Sequence, residues 1–292
     1  MWHFRNYNDM SLCLWRNLWK LPHKYDLIVG IPRSGMIPAT MLSLYLHAQL
    51  SSLDEFCEGR TMKSGITRMG STLGLPFPQI KHVLVVDDSI WSGQSIRNAK
   101  QRINQTIAQK YSGMTIDYCA VYSKSGQDPD IDFSFEIVPT PRRYQWNFLH
   151  QAKYCRDSLF DIDGVVCRDP TEEENDDGPR YLQFITTVKP KISITFPVGG
   201  FVSSRLEKYR HETEEWLHRN GFVYNKLFML NLPSKEARIK QNAHAPFKAA
   251  IYKNRPETFF VESDIHQAET IARLSGKDVL CTDYMRLFHG HN

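Results

Sequence analysis

The sequence predicts an α/β protein of two domains, each a mainly parallel sheet flanked by helices. Three observations lead there. Short apolar runs such as LIVG (27–30), VLVV (83–86) and YCAV (118–121) alternate with segments of helical periodicity, and that alternation implies a parallel sheet covered on both faces. The pattern restarts at DSLFDIDGVV (157–166). At 292 residues the chain suits two domains better than one, since domains run to roughly 100–200 residues. We expect domains at 1–152 and 153–292.

Residues 10–21 (MSLCLWRNLWKL) carry apolar residues at helical spacing, and 25–31 (YDLIVGI) read as a buried strand. Residues 36–50 read as a helix, with Pro38 tolerated in its first turn. The Gly-, Ser-, Thr- and basic-rich stretch 58–75 reads as a long exposed loop, a kind that is usually functional or disordered. Strands follow at 82–88, 115–123 and 133–139, with a helix at 95–110 between the first two. The proline-rich, aromatic stretch 139–150 closes the first domain.

In the second domain the strand 157–166 ends in acids, and DPTEEENDDGP (169–179) reads as a solvated insert. Short strands are expected at 191–196 and 200–204, then a helix over 205–221 stopped by Gly221. Strands at 226–232, 258–264 and 278–283 alternate with helices at 247–254 and 265–275, and FHGHN (288–292) reads as a frayed tail.

Bulk properties exclude little. Apolar residues make up 41% and charged residues 23%, ordinary for a globular protein. A net charge of +4 is too mild to argue for nucleic acid or a membrane surface, so no nucleic-acid partner is expected, and it suits an anionic small substrate equally well. The six cysteines form no CxxC pair and read as reduced thiols of a cytoplasmic protein. MWHFRNYND lacks a basic start followed by an apolar core, so no signal peptide is expected, and no window approaches the ~18 apolar residues of a membrane span. The eleven histidines show no metal spacing.

The first chemical constellation is VLVVDDSIWSGQS (83–95). Four apolar residues bury a strand, and Asp87 and Asp88 emerge at its tip, where a parallel sheet presents ligands. Ser89, Ser92, Gly93, Gln94 and Ser95 then lead into a helix. Backbone N–H groups, hydroxyls and a helix N-terminus together suit a phosphate. The two carboxylates would repel that phosphate, so they point to a vicinal diol, whose hydroxyls they can accept. Phosphate plus diol describes a ribose 5-phosphate.

This stretch closely resembles the phosphoribosyl-pyrophosphate (PRPP) signature of type I phosphoribosyltransferases. VGIPRSG (29–35) looks like the same family's diphosphate loop, with Arg33 facing the diphosphate and Ser34 and Gly35 letting the backbone approach. Residues 58–75 resemble the family's flexible catalytic loop, which implies a closing role for Arg60, Lys63 or Arg68. Trp91 departs from the purine-salvage pattern, where an acid protonates the base; it is either a stacking surface for the acceptor or a core residue. Arg142, Arg143, Tyr144 and Trp146 follow the last strand, where this family builds a hood over the acceptor.

The second constellation is LFDIDGVV (159–166). Two acids two residues apart at an extended strand tip point the same way, so Asp161 is placed to attack phosphorus and Asp163 to donate and then abstract a proton. Gly164 allows the turn. The stretch resembles the first motif of haloacid-dehalogenase-like (HAD) phosphatases, which implies a Rossmann-like fold with a small cap. By that resemblance Ser203 holds the phosphate, Lys248 (with Lys253 as its rival) neutralises nucleophile and phosphate, and Asp161, Asp163, Glu262 and Asp264 form a Mg²⁺ site.

The fusion implies an order of events. The first domain attaches 5-phosphoribose from PRPP to an acceptor, and the second removes the 5-phosphate to leave β-ribofuranose. Fusions resembling this pair assemble bacterial polysaccharides, which implies a glycan or lipid-linked oligosaccharide acceptor. Two alternatives stand: a nucleobase phosphoribosyltransferase with an accessory phosphatase, which a base screen would reveal, and a non-enzymatic sensor of PRPP or a nucleotide, which would bind without releasing pyrophosphate. The sequence leaves the acceptor and the oligomeric state open, a homo-oligomer among the options.

Overall fold

The computed structural model describes residues 1–62 and 74–290. In chain order the elements are β1 (His3–Arg5), α1 (Tyr7–Arg16), β2 (Leu27–Gly30), α2 (Met36–Leu46), β3 (Gln49–Ser52), α3 (Leu53–Cys57), β4 (His82–Ser89), α4 (Gln94–Thr106), β5 (Thr115–Ser123), β6 (Phe133–Ile137) and β7 (Arg142–Tyr144). They continue as α5 (Ala152–Arg156), β8 (Ser158–Phe160), α6 (Pro179–Thr187), β9 (Gly200–Leu206), α7 (Arg210–Arg219), β10 (Leu227–Leu230), α8 (Lys235–Lys240), α9 (His244–Lys253), β11 (Phe259–Glu262), α10 (Ile265–Ser275), β12 (Asp278–Cys281) and β13 (Arg286–Phe288). The chain forms two compact units, Arg5–Arg142 and Met1–Phe4 with Arg143–Asn292, so the division falls between Arg142 and Arg143 and the first four residues go with the C-terminal unit.

The unit Arg5–Arg142 is built on a five-stranded parallel sheet of order β3-β2-β4-β5-β6. β2 and β4 are buried along their length because both sheet faces are covered. Leu27, Val29, Val83 and Val85 share one core with Ile96, Ala99 and Ile103 of α4 and Phe56 of α3. Ile28, Leu84 and Val86 alternate to the other face, and α2 packs on β2 and β4. The chain steps from β2 outward to β3, then back across β2 to β4. The gap between β2 and β4 is therefore the topological switch point, where the two carboxyl-end loops splay apart.

The C-terminal unit carries a six-stranded sheet of order β10-β9-β8-β11-β12-β13, parallel except for β13. Phe160, Phe201 and Val261 face α6 and α7, packing with Phe184, Ile185 and Trp216. Leu159, Val202 and Phe260 face α9 and α10, packing with Ala249, Tyr252 and Ile271. The strand order runs outward from β8 through β9 to β10 and resumes at β11, so the switch point lies between β8 and β11.

Several expectations need correction. Residues 191–196 form no strand; Ile192, Ile194 and Phe196 alternate because they pack a connecting segment onto the core, partly buried. The helix expected over 36–50 stops at Leu46, since His47 adopts a left-handed conformation (φ 52°), and Gln49–Ser52 becomes the edge strand β3. The helix over 205–221 shortens to α7, because Arg205 and Leu206 belong to β9. FHGHN is tied down where it is described: Phe288 ends β13, and His289 Nδ1 lies 2.9 Å from Asp278 Oδ1. Pro179 starts α6, a nine-residue helix not foreseen after the acidic insert.

Candidate functional site

At the switch point of the N-terminal unit the loops after β2 and β4 meet. The Ser34 hydroxyl donates to Asp88 Oδ1 at 2.7 Å, and the Asp88 amide donates to Asp87 Oδ1 at 2.9 Å. This brings the expected diphosphate loop to the expected ribose loop, through strands that pair Gly30 with Val86. Gly35 is required by close approach: a Cβ there would lie 2.5 Å from Ile31 O and 2.7 Å from Val86 O. Gly93 is required twice over. Its φ is +74°, and a Cβ would collide with the Asp130 carboxylate. Arg33, Ser92, Gln94 and Ser95 are exposed around this turn, and Ser89 is half-buried at the strand end.

Burial, and then the neighbouring Asp88, pushes Asp87 up to about 8. The shift favours the protonated form of the Asp87 carboxyl, which can donate as well as accept. Trp91 is not a core residue: it is 61% exposed, with the Arg142 guanidinium 5.9 Å from its ring centre. Arg142 itself donates to Val138 O and Ile90 O, so it braces the loop. Arg143 lies in the C-terminal unit, boxed by the rings of Trp2, Tyr154 and Phe259 at 4.0–4.7 Å. Tyr144 and Trp146 stack on each other at 4.9 Å. Of the candidate closing residues, Arg60 is exposed and paired with Glu58, while Lys63 and Arg68 lie outside the described residues.

At the switch point of the C-terminal unit a cavity of ≈ 260 Å³ opens between the β8 and β11 tips. Asp161, Asp163, Lys248, Glu262 and Asp264 all line it. Lys248, from α9, is the hub. Its Nζ donates to Asp161 Oδ2 (2.6 Å), Glu262 Oε2 (2.7 Å) and Gln267 Oε1 (3.0 Å). Lys253, its rival, is exposed. Burial pushes Asp161 up to about 8, with Lys248 pulling against it and Glu262 adding to it. Burial alone would lower Lys248, but its two carboxylate partners outweigh that and raise it. Gly164 turns the chain at φ +81°, where a Cβ would meet the Ser263 hydroxyl at 2.0 Å. Asp264 caps α10 by accepting from the Gln267 amide.

Ser203 is not among the lining residues. It is fully buried, and its hydroxyl accepts from the Arg205 amide at 3.2 Å. The next residue, Ser204, lines the cavity instead, with its Oγ buried and without a partner. Successive strand residues face opposite sides, so a one-residue shift decides which serine reaches the site. Two arginines were also missed. Arg205, fully buried, grips Asp163 through Nε and Nη2 at 2.7–3.2 Å. Arg238, from α8, lines the cavity and donates to Ser204 O at 2.8 Å. An arginine inside the otherwise apolar run of β9 was the available signal for the first; a surface-like KEARIK helix offered none for the second. His244, also on the wall, is pushed down to about 4 by burial and by Arg238 and Lys248, so it is neutral at physiological pH.

Among the described residues no three His, Cys, Asp or Glu side chains converge as a ready metal cage. The donor chemistry nevertheless fits Mg²⁺. That ion prefers hard oxygen ligands and is commonly held by one or two carboxylates with waters and substrate phosphate, and four candidate carboxylates line this one cavity. No helix among the described residues is long and apolar enough to cross a membrane.

No protein-family model matches the sequence, and no curated protein matches it. Solved structures do. A xanthine-guanine-hypoxanthine phosphoribosyltransferase from Helicobacter pylori matches at 17% identity, over 50% of this chain and 92% of its own, with a TM-score of 0.36. A purine phosphoribosyltransferase from Pyrococcus horikoshii matches at 17% identity, over 50% of this chain and 93% of its own, with a TM-score of 0.35. A chain of the Pnkp1/Rnl/Hen1 RNA repair complex matches at 14% identity, over 88% of this chain and 94% of its own, with a TM-score of 0.30. Scores of this size leave the functional reading to the residues themselves.

Proposed function

We propose that the protein is a bifunctional enzyme that transfers 5-phosphoribose from PRPP to an acceptor, a bacterial glycan or lipid-linked oligosaccharide, and then hydrolyses the 5-phosphate to leave β-ribofuranose. We assign the transfer to the domain built on the unit Arg5–Arg142 and the hydrolysis to the domain built on Met1–Phe4 with Arg143–Asn292. In the first, the Ser92–Ser95 turn and the start of α4 take the 5-phosphate, and Asp87 and Asp88 take the ribose diol. Arg33, exposed on the adjoining loop, offsets charge on the departing diphosphate as C1 becomes oxocarbenium-like, and the acceptor enters with inversion. Trp91 offers a face on which an acceptor ring can stack.

In the second domain Asp161 Oδ attacks phosphorus and Asp163 protonates the departing ester oxygen. Asp163 then takes a proton from the water that hydrolyses the aspartyl phosphate. Lys248 offsets charge on Asp161 and the phosphoryl oxygens, and Ser204 donates its free hydroxyl to one of them. Arg205 fixes the orientation of Asp163. Bound by Asp161, Asp163, Glu262 and Asp264, Mg²⁺ would supply further neutralisation of phosphoryl charge.

The observation that carries the proposal is the Asp161–Lys248–Glu262 network, since a buried carboxyl held beside a lysine at a sheet switch point suits attack on a phosphate ester. The test is mass spectrometry of products from PRPP, Mg²⁺ and a panel of oligosaccharides and nucleobases. A phosphoribosylated and then a ribosylated oligosaccharide is expected. Ribosylated base, or PRPP bound but never cleaved, would replace the reading with one of its alternatives.

A further inference from the structure

Among the cations on the C-terminal cavity wall, Arg238 stands apart by its missing counter-ion. Lys248 is shared by Asp161 and Glu262, and Arg205, behind the wall, is spent on Asp163. Arg238 is only 7% exposed, yet it forms no ion pair among the described residues. Its polar contacts include the neutral oxygens Ser204 O at 2.8 Å and Asn175 Oδ1 at 3.5 Å and the Tyr181 hydroxyl, and its Nε has no partner. A buried charge is costly unless an opposite charge meets it. Ser204, 7% exposed on the same wall, likewise has a buried hydroxyl without a partner. Two residues with an unsatisfied donor, one of them charged, thus line one cavity, and a tetrahedral oxyanion would satisfy both.

We propose that Arg238 is a phosphate-binding residue of this cavity, contacting non-bridging oxygens of the phosphoryl group held by Ser204 and adding a second cation to Lys248, whose charge is already shared by two carboxyls. The assignment deepens the phosphatase reading and rests on it for the identity of the phosphoryl group, a phosphate monoester. It also explains how a cavity walled by Asp161, Asp163, Asp169, Glu262 and Asp264 admits an anion at all.

The test is calorimetric titration of the full chain with inorganic phosphate in Mg²⁺ buffer, with the melting temperature recorded with and without phosphate. Arg238→Met should weaken phosphate binding by roughly tenfold or more, the usual scale for a charge-assisted hydrogen bond, and should abolish the phosphate-induced rise in melting temperature. The unliganded variant should melt no lower than wild type, because it loses an unpaired buried charge. Arg238→Lys should retain part of the affinity, and Lys253→Ala, an exposed change, should retain all of it. Unchanged phosphate affinity in Arg238→Met, no phosphate binding by wild type, or a variant that melts far lower would each overturn the assignment. Failure of the phosphatase reading is separable: wild type would then hydrolyse no phosphate monoester, while affinity still fell in Arg238→Met.

Discussion

Replacing Lys248 by Met isolates the electrostatics of the C-terminal cavity. One ammonium serves two buried carboxyls at 2.6 and 2.7 Å, and its side chain is 2% exposed. Removing one partner of a buried pair usually costs about 3–5 kcal/mol. Asp161 sets the pH dependence, because burial raises it to about 8 while Lys248 pulls against that rise. Without the lysine its folded-state value lies higher still, so the Asp161 part of the deficit is flat below about pH 8. Above that pH wild type ionises and the variant does not, and the deficit grows by about 1.4 kcal/mol for each further pH unit until the variant ionises too. The sign follows from linkage: the native variant holds its proton longer, so it keeps losing stability with rising pH where wild type levels off. The assay is urea-dependent hydrogen exchange of the β8 and β11 segments at pH 7 and pH 9.5, which reads this unit apart from the other. A deficit equal at both pH values, or smaller at pH 9.5, would refute the reasoning.

Gly35→Ala places a methyl against two backbone carbonyls, so it should displace the 31–35 loop and cut PRPP-dependent pyrophosphate release at least tenfold with little change in phosphatase activity. Asp87→Asn removes a carboxyl raised to about 8 by burial and Asp88; wild-type stability should fall between pH 4 and 8 by up to ~5 kcal/mol relative to this variant, as paired urea titrations would show. Arg205→Met frees Asp163 from its clamp, so kcat for phosphate-monoester hydrolysis should drop more than KM rises in steady-state assays.

The strands that build both switch points were legible because they are buried on both faces and so read as continuous apolar runs: 27–30, 83–86, 159–160 and 259–261. The acids were legible because they follow those runs directly; the lysine came only with the resemblance, which left Lys248 and Lys253 side by side. The edge strand β3 was not, because Gln49–Ser52 has only one apolar residue, and the helical pattern before it ends at His47 with no glycine or proline to mark the stop. The strand pattern at 191–196 misled because alternation reports one-sided burial, which a packed connector shares with a strand. Choosing Ser204 over Ser203 needs the strand's facing, and recognising Arg238 needs its burial; neither is carried by residue identity.

The central claim is that one chain forms a ribosyl bond and then strips its phosphate. Time-resolved phosphorus NMR of wild type and Asp161→Asn, with PRPP, Mg²⁺ and an oligosaccharide acceptor, tests it most directly. The account predicts pyrophosphate from both proteins, orthophosphate from wild type alone, and a phosphoribosylated acceptor that persists in the variant. Orthophosphate released by Asp161→Asn at the wild-type rate, or acceptor-dependent pyrophosphate from neither protein, would contradict it.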